Sequence, residues 1–193
     1  MNEKTRPIAP RNPSGQVGKT MTENPMRKVR LEKVTLNMGA GESGTVIEKM
    51  QNIMKEITGT TIVVTQTRKR NTFGLPKGRP IGAKTTVRGQ KAFELVKRLL
   101  QAVDNRLKPG QFDSTGNFSF GVAEYINVPG IKYDPDIGII GFDVCVTLTR
   151  AGYRVTKRRL RPDKIGKGHR ITREEAMAFA QKELGAKISE EEE

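Results

Sequence analysis

Four stretches of this chain alternate apolar and polar residues with a period of two, and each gathers its apolar set on one side. In 29–39, "VRLEKVTLNMG", Val34, Leu36 and Met38 alternate with Lys33, Thr35 and Asn37, and in 83–89 Ala83, Thr85 and Val87 alternate with Lys84, Thr86 and Arg88. Phe118, Phe120 and Val122 repeat the pattern, as do Phe142, Val144, Val146 and Leu148. Successive side chains of a strand point to opposite faces, so these stretches specify strands covered on one side only. The first run slips phase between Leu31 and Val34, which predicts a β-bulge at Glu32-Lys33.

Helical patterns lie between the strands. Thr45 with Glu48 reads as a capping box opening a helix whose apolar residues Val46, Ile47, Met50, Ile53, Met54 and Ile57 share a face, closed by Gly59. "TIVVT" (61–65) reads as a strand. A second helix follows Gly89, with Phe93, Val96, Leu100, Val103 and Leu107 as its buried stripe and Glu94 to Arg98 as an exposed i,i+4 pair. Thr172 and Glu175 form another capping box, for a helix running to Gly185. The order strand-helix-strand-strand-helix-strand-strand-helix predicts an α+β fold: a largely antiparallel sheet with helices packed on one face, long basic loops and a disordered N-terminal tail. The expected division is a flexible tail over 1–24, one α+β domain over 25–188 and an acidic tail over 189–193.

Charge then says what the open face meets. Lys and Arg number 35 against 21 acids, a formal charge of +14. Residues 150–170 carry a net +8 and residues 67–80 a net +5, which leaves the rest nearly neutral. Both segments are punctuated by glycine and proline and read as long loops. Two cationic loops imply a polyanion, and nucleic acid fits because each neutralised phosphate releases condensed counterions. No run of eighteen apolar residues is present, so no membrane span is expected. A lone Cys145 excludes an internal disulfide, and with a lone His169 it cannot build a four-ligand zinc site. With no secretory apolar core at the N-terminus, the chain reads as cytoplasmic.

The polar sides of the strands present Lys33, Thr35 and Asn37, then Lys84, Thr86 and Arg88. Such groups donate to phosphates, ribose hydroxyls and base edges, the chemistry of RNA recognition by shape. Aromatic residues are missing from these positions, which argues against a stacking platform for single strands. In the longer basic segment Arg154, Lys157, Arg158, Arg159, Arg161, Lys164, Lys167, His169 and Arg170 are the candidates for phosphate contact.

Catalysis finds no support. "NPSGQVGKT" (12–20) ends like a phosphate-binding loop, but Pro13 stands at the first glycine position and no strand precedes it. Asp134 and Asp136 flank Pro135 in a turn, so with Asp143 they make no metal site. His169, among Lys167 and Arg170, suits a backbone or phosphate hydrogen bond better than base catalysis, and mid-strand Cys145 is expected to be buried packing. No metal, cofactor or enzymatic activity is expected.

Several segments together resemble a known family. "NPMRKVRLEKVTLNMGAGESG" (24–44), "RPIGAKTTVRG" (79–89), "DSTGNFSFGVAEYI" (113–126), "IKYDPDIGIIGFDVCVTLTRAGYRV" (131–155) and "IGKGHRITREEA" (165–176) are similar, in this order, to the large-subunit ribosomal protein five family, in its archaeal and eukaryotic branch. The resemblance spans 24–188 and implies a place in the central protuberance of the large ribosomal subunit, with 5S rRNA on the open sheet face. It carries rRNA contact over to Asn37 and Gly39, to Gln66 and Lys69, and to Lys84, Thr86 and Arg88. It implies that the loop holding Arg70, Phe73, Gly74, Lys77 and Arg79 approaches the peptidyl-site tRNA. The implied partners are 5S rRNA, large-subunit rRNA, that tRNA, other proteins of the central protuberance and a protein of the small-subunit head.

Overall fold

The computed structural model of the chain describes residues 24–40, 44–70, 76–131, 133, 135 and 138–189. Residues 1–23 of the expected N-terminal tail, with the phosphate-loop-like stretch 12–20, and Phe73, Gly74, Asp134, Asp136 and the last four glutamates lie outside the described residues.

Five strands form one antiparallel sheet. In chain order these are β1 (Arg30–Gly39), β2 (Val63–Gln66), β3 (Pro80–Arg88), β5 (Phe118–Val122) and β6 (Phe142–Thr149), arranged β2-β3-β1-β6-β5. A short β4 (Arg106–Leu107) pairs in parallel with β7 (Lys187–Ile188). The helices are α1 (Thr45–Thr58), α2 (Gln90–Gln101), the single turn α3 (Arg154–Lys157) and α4 (Arg173–Phe179), which continues through a π turn over Ala180–Leu184.

The alternation decides which face is covered. Val34, Leu36, Met38, Ala83, Val87, Phe118, Phe120, Val144, Val146 and Leu148 are all buried, in one core with Met50, Ile53, Met54 and Ile57 of α1 and Leu95, Val96, Leu99 and Leu100 of α2. α1 packs on β3, and α2 on β1 and β3, from that side. The predicted bulge is present: β1 pairs Leu31 with Leu148 but Lys33 with Thr147, so Glu32 is the extra residue. The Thr172 box forms, with the Thr172 hydroxyl accepting from Glu175 N and the Glu175 carboxylate accepting from Thr172 N.

Three local readings change. Thr45 is already helical and its neighbour Gly44 (φ 135°) is the N-cap with no side-chain bond, because a cap must stand in extended backbone outside the helix. α2 stops at Gln101, since Asp104 (φ 52°) and Asn105 (φ 57°) turn the chain left-handed. Leu107 is therefore buried from β4, and Phe93 is half-buried beneath the Lys97 ammonium. Arg98 does not pair with Glu94; its guanidinium donates to Ile57 O, the carbonyl end of α1.

Candidate nucleic-acid interface

Residues directly opposite in an antiparallel pair share a face, so the register maps the open surface row by row. One row runs Val63, Lys84, Asn37, Asp143, Gly121; the next runs Thr86, Thr35, Cys145, Ser119; the third runs Arg88, Lys33, Thr147. Gly39, opposite Gly82, ends the central strand, and Thr65 faces Gly82 from the other side. Lys84, Thr86, Arg88, Asn37 and Gly39 are exposed, while Thr35 and Lys33 are half-buried between their neighbours. The structure thus brings together all the strand candidates named from sequence.

Their outward pointing follows from the core. Thr85, between Lys84 and Thr86, is buried and shares a hydroxyl hydrogen bond of 3.0 Å with Thr60 while donating to Thr61 O. With Ala83, Thr85 and Val87 turned inward, Lys84, Thr86 and Arg88 have only the open side left.

Cys145 corrects the sequence reading. It is exposed at the centre of the open face, because Val144 and Val146 take the two inward positions that flank it. Partial desolvation between its strand neighbours pushes its thiol above the ordinary cysteine range, and the nearby Asp143 charge adds to the rise.

The two cationic segments stand at opposite ends of β1. The β2–β3 hairpin continues from the Gly39 end, where Thr67 N donates to Arg79 O, Gly78 N donates to Thr67 O, and the Thr67 hydroxyl bonds Pro76 O at 2.9 Å. That closure holds exposed Gln66, Lys69, Arg70, Lys77 and Arg79 about one loop. Segment 150–170 leaves β6 beside the Lys33 end.

Not every cation of that segment is free. Arg150 is 5% exposed, donates to Glu175 Oε1 at 2.7 Å, and donates through Nη1 to the carbonyls of His169 and Arg170. It pins the segment to α4. His169 places ring Nε2 2.9 Å from Ala151 O, with its ring edge-on to Tyr153, a contact to backbone of the kind expected for it. Arg158 and Arg170 tie their Nε to the carbonyls of Arg161 and Ile165. Arg154, Arg159, Arg161, Lys164 and Lys167 are exposed with no ion-pair partner among the described residues.

Glu32 was not identifiable as a site residue from its local pattern. From the bulge it accepts a hydrogen bond from Lys157 Nζ and lies 3.6 Å from Arg88 Nη1. Ser119, Asp143, Cys145 and Thr147 also face outward, and the alternation that located Thr86 holds for them too.

The arrangement offers hydroxyl, amide and cationic donors on a fixed grid, with loose cations at both ends. It can neutralise phosphates and hydrogen-bond sugar and base edges; among the described residues no group of acids, cysteine and histidine could hold a metal ion. Nor is any described helix long and apolar enough to cross a membrane.

Comparison with known proteins gives concordant matches. A family model described as ribosomal protein L5 matches residues 24–75, and a second, describing the C-terminus of the same ribosomal family, matches residues 80–179. The large ribosomal subunit protein uL5 of Sulfurisphaera tokodaii is 47% identical over 176 residues, covering 90% of this chain and 99% of that protein. The uL5 of Nanoarchaeum equitans is 48% identical over 168 residues, covering 86% and 99%, and that of Cenarchaeum symbiosum is 47% identical over 164 residues, covering 84% and 97%.

Proposed function

The chain belongs to the uL5 family of ribosomal proteins in its archaeal-type form, and from that premise we propose that it is a structural, non-enzymatic component of the large ribosomal subunit that binds 5S rRNA on its open sheet face. One observation carries this reading: in three consecutive rows across the sheet no bulky apolar side chain faces out except edge residue Val63, while donors occupy the centre. An uncovered polar face of this width suits a partner rich in acceptors.

The division of labour follows from rigidity. Asn37, Thr35, Thr86 and Lys84 sit on paired strands and fix register against the RNA; Lys33, Arg88, Gly39, Gln66 and Lys69 extend that surface. Arg154, Lys157, Arg158, Arg159, Arg161, Lys164, Lys167 and Arg170 neutralise phosphate from the flank, where contacts position without reading sequence. The hairpin loop with Arg70, Lys77 and Arg79, together with Phe73 and Gly74, approaches the peptidyl-site tRNA. In this reading the protein occupies the central protuberance, beside other large-subunit proteins, and bridges to a protein of the small-subunit head.

Binding of purified protein to 5S rRNA transcript, measured against salt, tests the reading. Log affinity should fall with log salt at about −0.9 per phosphate on duplex and about −0.7 on single strands. Asn37→Leu or Thr86→Leu should reduce preference for 5S rRNA over a scrambled RNA more than Lys164→Gln does. Equal losses would contradict the assignment of specificity to the sheet.

A further inference from the structure

We propose that Asp143, with Asn37 beside it, is a subsite for the Watson–Crick edge of an unpaired guanine. The inference rests on the reading that rRNA occupies the open sheet face.

A carboxylate is the wrong group to meet a phosphate backbone. Two acids of the described strands are treated differently: Glu32 is taken up by Lys157 and Arg88, whereas Asp143 is exposed and has no hydrogen bond or ion pair among the described residues. A free acid on a donor-rich surface serves a ligand that itself donates. In RNA the donors are the 2′-hydroxyl and the amino and imino groups of the bases, and guanine alone sets two donors side by side, N1–H and N2–H. Two carboxylate oxygens match that pair. Adenine and cytosine would set a ring acceptor against one of them. Asn37, directly across from Asp143, carries the amide donor that guanine O6 requires next to N1.

A second observation points to close approach at the same place. Gly39 and Gly121 lie in β1 and β5 with negative-φ backbone, and the fold does not require glycine at either. A Cβ on Gly39 would meet nothing within 4 Å, and one on Gly121 would meet only Asp143 Oδ1 at 3.8 Å. Gly82 is the contrast, since its Cβ would collide with Met38 O. Glycine in a strand costs stability, so a strand glycine with empty space above it marks a site where a ligand comes close to backbone. Gly39, Gly121, Asn37 and Asp143 all line one shallow depression of about 480 Å³ at this end of the sheet.

The test uses the full chain and 5S rRNA transcripts in which inosine, which lacks the 2-amino group, replaces guanosine at random single positions. The expected result is interference at one or a few guanosines with wild type that disappears with Asp143→Asn. That variant should bind unmodified 5S rRNA roughly 5- to 100-fold more weakly, the range of one bidentate base contact, while scrambled RNA is bound as well or better because a negative charge has gone. Asp143→Asn binding 5S rRNA as tightly as wild type, or the same inosine pattern in both proteins, would overturn the proposal. Gly39→Ala supplies an arm independent of charge: its melting temperature should stay level or rise, while 5S rRNA binding falls. Undiminished binding by Gly39→Ala would likewise overturn it. Wild type showing no preference for 5S rRNA over scrambled RNA would overturn the functional reading itself, and this inference with it.

Discussion

Lys157 of the basic segment donates a hydrogen bond to Oε1 of Glu32, the extra residue of the β1 bulge, so a single carboxylate joins the flanking loop to the central strand of the sheet. Arg88 approaches the same oxygen, and its partner across the ladder is Lys33, a like charge that would destabilise the pair without an acid nearby. The bulge thus turns an otherwise strand-breaking extra residue into the counter-ion of three cations.

Glu32→Gln tests that junction. Burial raises the Glu32 carboxyl, but the hydrogen bond and charge of Lys157, then the charges of Lys33 and Arg88, hold it below the ordinary carboxylate range. A depressed folded-state pKa gives stability that is present above the unfolded pKa and is lost as pH falls through the folded one. Wild type should therefore exceed Glu32→Gln at neutral pH, by about 0.5–1 kcal/mol because both cations are more than half exposed, and the gap should close in acid. Thermal melts of both proteins across the acid range check this.

Arg150→Ala should detach the basic segment from α4. It leaves the carbonyls of His169 and Arg170 without their donor and Glu175 without its partner. The expected loss is about 2–3 kcal/mol, below the cost of breaking a fully buried pair because the Glu175 side chain is 41% exposed. Denaturant melts give the loss, and amide exchange over 150–170 should quicken.

Gly82→Ala should destabilise by about 1–3 kcal/mol, since its Cβ would press on Met38 O within the β1–β3 ladder. Chemical denaturation of this variant beside Gly39→Ala separates a glycine required by packing from one that packing leaves free.

Asp143→Asn should ease ionisation of Cys145. Removing the nearby negative charge favours the thiolate, so the pH midpoint for alkylation moves down, while staying above that of a fully solvated thiol because partial desolvation is the larger cause. Alkylation rates measured against pH report both directions.

What the sequence made legible follows the range of the forces involved. Strand faces, the Glu32 bulge and the Thr172 cap depend on residues a few positions apart, and the alternation of Lys84, Thr86 and Arg88 with Ala83, Thr85 and Val87 located the open face of the sheet before any contact was visible. Cys145 was misplaced because residue type, which favours burial, competes with strand parity, and parity wins where Val144 and Val146 already fill the core. Roles made by distant pairs were not legible. Arg150 looked like one more cation of its segment until α4 placed Glu175 against it, and Lys157 until the bulge aimed Glu32 at it.

If the uncovered side of this sheet is the rRNA surface, the molecule carries its own probe for it. Cys145 is the single cysteine and stands mid-face, paired across to Thr35 and Ser119. Its alkylation rate by a bulky maleimide, measured with and without saturating 5S rRNA, is the direct measurement. Strong protection by 5S rRNA and none by an equal concentration of scrambled RNA is the expected result; an unchanged rate in the bound complex would rule out an rRNA surface on this face.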